Sequence, residues 1–174
     1  FATSLNLFTN RNGQVLLNPV TGPYAFGSPV RLTALPAAGS YFFGWAGAAS
    51  GFANPLFLTA TNAAGITALF GSLNPNQVSL TVLPSGDGAV AVSPRQNVYT
   101  NGEAVTLTAW PGANRVFTGR SGGATGNLNP LGLTLMASTV ITANFASGTP
   151  MNLGERTRLA RGQDMVNTEG TGHG

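Results

Sequence analysis

Apolar and polar residues alternate through PVRLTALP at 29–36, so that Val30, Leu32 and Ala34 share one side of an extended chain and Arg31 and Thr33 the other. The same alternation returns in AVTLTAWP at 104–111, with Val105, Leu107 and Ala109 opposite Thr106 and Thr108, and both runs stop at a proline. Shorter extended runs precede each of them: SLNLF and GQVLLNP before the first, SLTVL and GAVAVSP before the second. The joining segments TNRN (9–12) and PSGD (84–87), each followed by Gly, predict hairpin turns, because Asn, Asp and Gly tolerate positive φ. A further run ends at Gly44 or Gly119, and a Gly-rich loop then leads to NPL at 54–56 and 129–131, where one helical turn is expected. Two closing runs follow in each half: PLFLTA and GITALF, then PLGLTLM and TVITANF. No long window carries a 3.6-residue period, and Gly or Pro interrupts nearly every stretch. The pattern predicts six or so short strands in each half.

The two halves are copies. A shift of 75 residues aligns residues 4–70 with 79–145 without a gap, and about 26 of the 67 aligned positions are identical. Gly13 falls on Gly88, Pro19 on Pro94, Tyr24 on Tyr99, Phe42 on Phe117, Gly44 on Gly119 and Gly47 on Gly122. The closing block sets NPL on NPL and Ile66-Thr67-Ala68 on Ile141-Thr142-Ala143, with Phe70 on Phe145. The organisation expected is one module over residues 1–72, a second over 77–147 and an extended polar tail over 148–174.

The order of motifs is Gly-x-Val then Pro, Tyr-x-x-Gly, V-x-L-T-A-x-P, Gly-Trp-x-Gly, NPL and I-T-A-x-F. This series resembles the divergent InlB B-repeat modules, relatives of the internalin-type B-repeat, and the resemblance covers nearly all of residues 4–145, twice. It implies a mainly β fold of two tandem β-grasp-like units. It also implies a spacer, stalk or adhesive role on the surface of a bacterium, outside the cell, and no catalytic residues to carry over. The second copy departs from the pattern where Arg120 replaces Trp45, giving GRSG for GWAG. If Trp45 makes a surface contact, the second copy has lost it. If it caps the core, Trp110 is a candidate substitute.

Composition narrows the chemistry. Only 7% of the 174 residues are charged, against roughly 25% in an ordinary soluble domain. Cysteine is absent, which excludes disulfides, thiolate metal sites and thiol nucleophiles. All eight basic residues are arginine, so lysine–asparagine cross-links are impossible. The net charge of +3 is carried by scattered arginines, giving no basic patch for nucleic acid, and no apolar run is long enough to span a bilayer as a helix. Before residue 148 the only acids are Asp87 and Glu103, at non-equivalent repeat positions, so a two-carboxylate site is not expected. The one histidine, His173, lies in the tail. Neither an enzyme, nor a metal site, nor a cofactor is expected.

Two sets of residues remain as candidates. Tyr24, Tyr41 and Trp45 are a possible sugar-stacking platform for a polysaccharide, set against the alternative that they simply fill the core. The tail is charged and poor in large apolar groups, yet Met151, Leu153, Arg156, Arg158, Leu159 and Arg161 are spaced to dock on a neighbouring subunit or across the joint between the two repeats. The expectation is a non-catalytic surface fibre, stalk or sheath component that self-associates, the alternative being an accessory carbohydrate-binding module of a larger secreted protein.

Overall fold

The structure, a computed structural model, describes residues 2–61 and 65–148. Sixteen strands follow one another in chain order, eight to a repeat, and there is no helix among the described residues. The first repeat comprises β1 (Ala2–Thr3), β2 (Asn6–Thr9), β3 (Gly13–Asn18), β4 (Tyr24–Ala25), β5 (Pro29–Pro36), β6 (Ser40–Gly47), β7 (Leu56–Thr59) and β8 (Gly65–Ser72). The second comprises β9 (Gln77–Val78), β10 (Leu80–Ser85), β11 (Gly88–Ser93), β12 (Tyr99–Thr100), β13 (Glu103–Pro111), β14 (Arg115–Gly122), β15 (Leu131–Leu135) and β16 (Thr139–Ser147). Six of the eight strands in each repeat have four or more residues. The other two are two-residue pairings, β1 with β4 and β9 with β12, that no alternation pattern could announce.

Each repeat is two three-stranded sheets. One has the order β2-β8-β6 and the other β3-β5-β7; the second repeat reproduces them as β10-β16-β14 and β11-β13-β15. The first long strand runs parallel to the last, β2 with β8 and β10 with β16, while the remaining pairs are antiparallel. That parallel closure is the β-grasp-like element, and the second sheet covers its apolar face. TNRN and PSGD do reverse the chain, with Arg11 and Gly86 at positive φ. They do not form hydrogen-bonded hairpins, because β2 and β3 belong to different sheets, as do β10 and β11. Each turn is an arch from one layer to the other.

The core lies between the layers. Val30, Leu32 and Ala34 of β5 meet Phe42 and Trp45 of β6 and Ile66, Ala68 and Phe70 of β8. Val105, Leu107, Ala109, Ile141, Ala143 and Phe145 are buried at the corresponding places in the second repeat. Gly13 and Gly88 are fixed by this packing, since a Cβ on either would lie 2.5 or 2.6 Å from the ring of Phe70 or Phe145. Both repeats carry a register shift in the third strand of the parallel sheet, between Phe42 and Gly44 and between Phe117 and Gly119.

The NPL segment forms no helical turn. The peptide bonds Asn54-Pro55 and Asn129-Pro130 are cis, and the asparagine side chain does the structural work. Asn54 accepts the Ala34 N–H through Oδ1 (2.9 Å) and donates Nδ2 to the Ala34 carbonyl (2.8 Å), so a loop side chain completes the ladder beyond the end of β7. Asn129 makes the same pair of bonds to Ala109. Replacing Asn54 by Ala strips both partners from a half-buried strand, and a loss of about 1–3 kcal/mol is expected. Urea unfolding of N54A checks this; a midpoint equal to the wild type would contradict the clamp.

Candidate functional site

Two of the three aromatic residues singled out in the sequence, Tyr24 and Trp45, lie in the core. Trp45 is 4% exposed and Tyr24 7%, so neither offers a ring face to a sugar. Trp45 stacks against Phe42 with centroids 5.0 Å apart and donates its indole N–H to the Ala53 carbonyl (2.7 Å). The Tyr24 hydroxyl donates to the Pro19 carbonyl, and Tyr99 repeats that bond to Pro94. Tyr41 is half-buried, with its ring edge-on to the exposed Phe43. The platform reading of Tyr24 and Trp45 therefore gives way to a core role: a β module of about 70 residues needs its large side chains inside.

Arg120 itself, not Trp110, takes the place of Trp45. Trp110 is 60% exposed, whereas Arg120 is 5% exposed. The Arg120 guanidinium lies over the Phe117 ring at 4.7 Å, as Trp45 lies against Phe42. Its Nη1 donates to the Leu128 carbonyl, the position equivalent to Ala53, and its backbone N–H donates to Gly126 as that of Trp45 does to Gly51. Nη2 adds a bond to the Leu107 carbonyl (3.0 Å), while Nε has no partner. No acid among the described residues neutralises the group, and burial lowers its pKa from the ordinary arginine value.

Asp87 and Glu103 do not converge. Asp87 pairs with Arg115 (2.8 Å) on the surface, and Glu103 accepts the Thr100 N–H and a bond from Gln96. No group of three His, Asp or Glu residues gathers among the described residues. Burial raises the pKa of the Tyr99 hydroxyl, the nearby Glu103 charge adding to it, so it stays a neutral hydrogen-bonding group at physiological pH. The tail residues Met151, Leu153, Arg156, Arg158, Leu159 and Arg161 lie outside the described residues.

A concave feature lies where the two repeats meet. Arg31 of β5 donates to the Gly86 carbonyl (3.2 Å), and Asn97 donates to the Phe43 carbonyl (3.0 Å). Burial of Arg31 lowers its pKa, with the Asp87 charge opposing. Beside these contacts opens a cleft of about 510 Å³, within the range of small-ligand sites. The first repeat contributes Phe52, Pro55 and Phe57 to it, and the second contributes stretches of β10 and β11 with Arg95, Gln96, Asn97 and Tyr99. Phe52 and Phe57 are each 63% exposed. Sequence reasoning passed over them, although a signal was present: at the positions equivalent to Phe52 and Phe57 the second repeat has Asn127 and Gly132.

No helix among the described residues is long and apolar enough to cross a membrane. No curated protein and no solved structure matches the chain at a significant level. The sequence profile of the divergent InlB B-repeat domain, by contrast, matches twice, over residues 3–73 and 78–149, in step with the two eight-stranded units. With the profile, the fold and the 75-residue duplication in agreement, the chain belongs to the divergent InlB B-repeat family as two tandem copies.

Proposed function

We propose that the chain is a non-catalytic structural and interaction segment of an extracellular bacterial surface assembly, a fibre, stalk or sheath built from self-associating β modules. The observation that carries this is the duplicated frame. Most core residues recur pair by pair between the repeats, Tyr24 with Tyr99, Val30 with Val105, Leu32 with Leu107, Ile66 with Ile141 and Phe70 with Phe145, while the exposed phenylalanines of the first repeat do not, as expected of modules retained for their shape. The family is typical of bacterial surface proteins and is typically non-catalytic, which supports the placement. Sparse charge and several exposed phenylalanines favour association over a free monomer. Sedimentation velocity of the full chain over a hundredfold concentration range, with negative-stain microscopy, tests it. Concentration-dependent oligomers are expected; a monodisperse monomer throughout overturns the self-association.

The inter-repeat cleft favours a second reading, an accessory module of a larger secreted protein that holds a ligand such as a polysaccharide. The aromatics available for that role are Phe52 and Phe57, not Trp45.

A further inference from the structure

We propose that the inter-repeat cleft takes up an extended peptide strand of another protein, apolar at alternate positions and carrying an acidic side chain. The proposal rests on the reading of the chain as an interaction module.

The first support is how the strands face the cleft. Side chains of a strand alternate between its two sides, so a cavity beside one face touches every second residue. Four consecutive residues of β11, Ala89 to Val92, line this cleft, as do Leu80, Thr81 and Val82 of β10. The cleft therefore meets these strands edge-on. Among the described residues each has a hydrogen-bonded neighbour on one side only, β16 for β10 and β13 for β11. The arch between them is the reason: it sends the two strands into different sheets and leaves both edges unpaired. Open edges of this kind accept an added strand. Each is six residues long, which accommodates about 20 Å of extended chain.

The second support is the uneven distribution of phenylalanine. Phe8, Phe26, Phe43, Phe52 and Phe57 are each more than half exposed on the first repeat. Their equivalents in the second are Leu83, Asn101, Thr118, Asn127 and Gly132. The frame does not need an aromatic at these places, since the second repeat folds the same way without one. Phe52 and Phe57 stand in the cleft opposite the unpaired edges, where they can receive the alternate apolar side chains of a docked strand.

Charge selects the remaining feature. Among the described residues Arg95 is the one ionised side chain lining the cleft; Asp87 and Glu103 do not line it, and Arg95 makes no ion pair there. An acidic side chain on the incoming strand complements it, and a basic one is repelled.

The test is fluorescence anisotropy of the full chain with a labelled ten-residue peptide alternating valine and threonine around a central glutamate. Saturable binding is expected, at least tenfold weaker when lysine replaces the glutamate and lost when two central prolines block strand pairing. Phe57→Ala should weaken binding about tenfold or more, and Arg95→Ala should abolish the preference for glutamate over lysine. Amides of Leu80–Ser85 or Gly88–Ser93 should exchange more slowly in the complex. Failure of the glutamate peptide to saturate at millimolar concentration overturns the proposal. So does equal binding of the proline peptide, or uptake of polygalacturonate at Phe57 without uptake of the peptide. Sedimentation reads self-association separately, so the two readings fail independently.

Discussion

Replacing Phe145 by Ala should unfold the second repeat and leave the first standing. The Phe145 ring is 6% exposed, packs against Phe117 with centroids 5.8 Å apart and fills the space that Gly88 leaves open. Around it the core is built of small residues, Ala109 and Ala143 among them, which cannot close over the gap. Truncating a buried phenylalanine costs about 3–5 kcal/mol, much of what holds a small domain together. Calorimetry of F145A should show one transition displaced or lost and one retained, and hydrogen exchange should place the loss in residues 80–147. A melt within a degree or two of the wild type would mean that Phe145 is not a keystone of the fold.

Arg120 is the second place where one side chain decides a great deal. Arg120→Ala removes the stack on Phe117, opens a cavity and strips donors from the Leu128 and Leu107 carbonyls. A loss of about 3–5 kcal/mol is expected from the bonds and the cavity together. Arg120→Trp is expected to behave in the opposite way. The first repeat shows that the same frame holds an indole at this position, with its N–H on the equivalent carbonyl and its ring on the equivalent phenylalanine. Exchanging a buried, unneutralised charge for a packed neutral ring should leave stability unchanged or raise it by about 1–4 kcal/mol. Because burial lowers the guanidinium pKa, the folded state binds that proton less tightly than the unfolded one. The resulting penalty is constant wherever arginine is charged in both states, and it is relieved only as pH rises through the lowered value. The gain in R120W should therefore be the same at pH 5 and pH 8. Urea titrations at both pH values check this, and an R120W as unstable as R120A would refute the equivalence with Trp45.

The parts of this fold that were legible in the sequence are those that depend on alternation and on repetition. Val30, Leu32 and Ala34 announced a strand with a buried side, and the 75-residue shift announced two tandem copies of one unit. What escaped was set by contacts distant in sequence. Asn54 looked like the start of a helical turn because NPL is turn-like locally; its side chain instead completes a strand twenty residues earlier. Asn10 works similarly, bonding both the N–H and the carbonyl of Phe70 sixty residues away. TNRN and PSGD have hairpin composition, and composition does not state which sheet receives the next strand. The exchange of Trp45 for Arg120 left open a lost surface contact or a substitution by Trp110; the two side chains instead share a flat group and an N–H, which are the properties this site uses. The cleft was invisible for a further reason: it belongs to neither repeat alone.

The parallel closure of each module has a mechanical consequence. The chain enters β10 at one end of its ladder with β16 and leaves β16 at the other, so tension along the chain pulls the two strands lengthwise past each other. Every bond of the ladder then bears load together, whereas an antiparallel pair pulled from a shared end opens one bond at a time. The second repeat pairs six residues in this ladder, Leu80–Ser85 with Thr139–Asn144. Among the described residues the first pairs Asn6–Thr9 with Gly65–Ala68, and it extends the seam through the two bonds of Asn10. Under tension along the chain, each module is therefore loaded in shear across its parallel ladder.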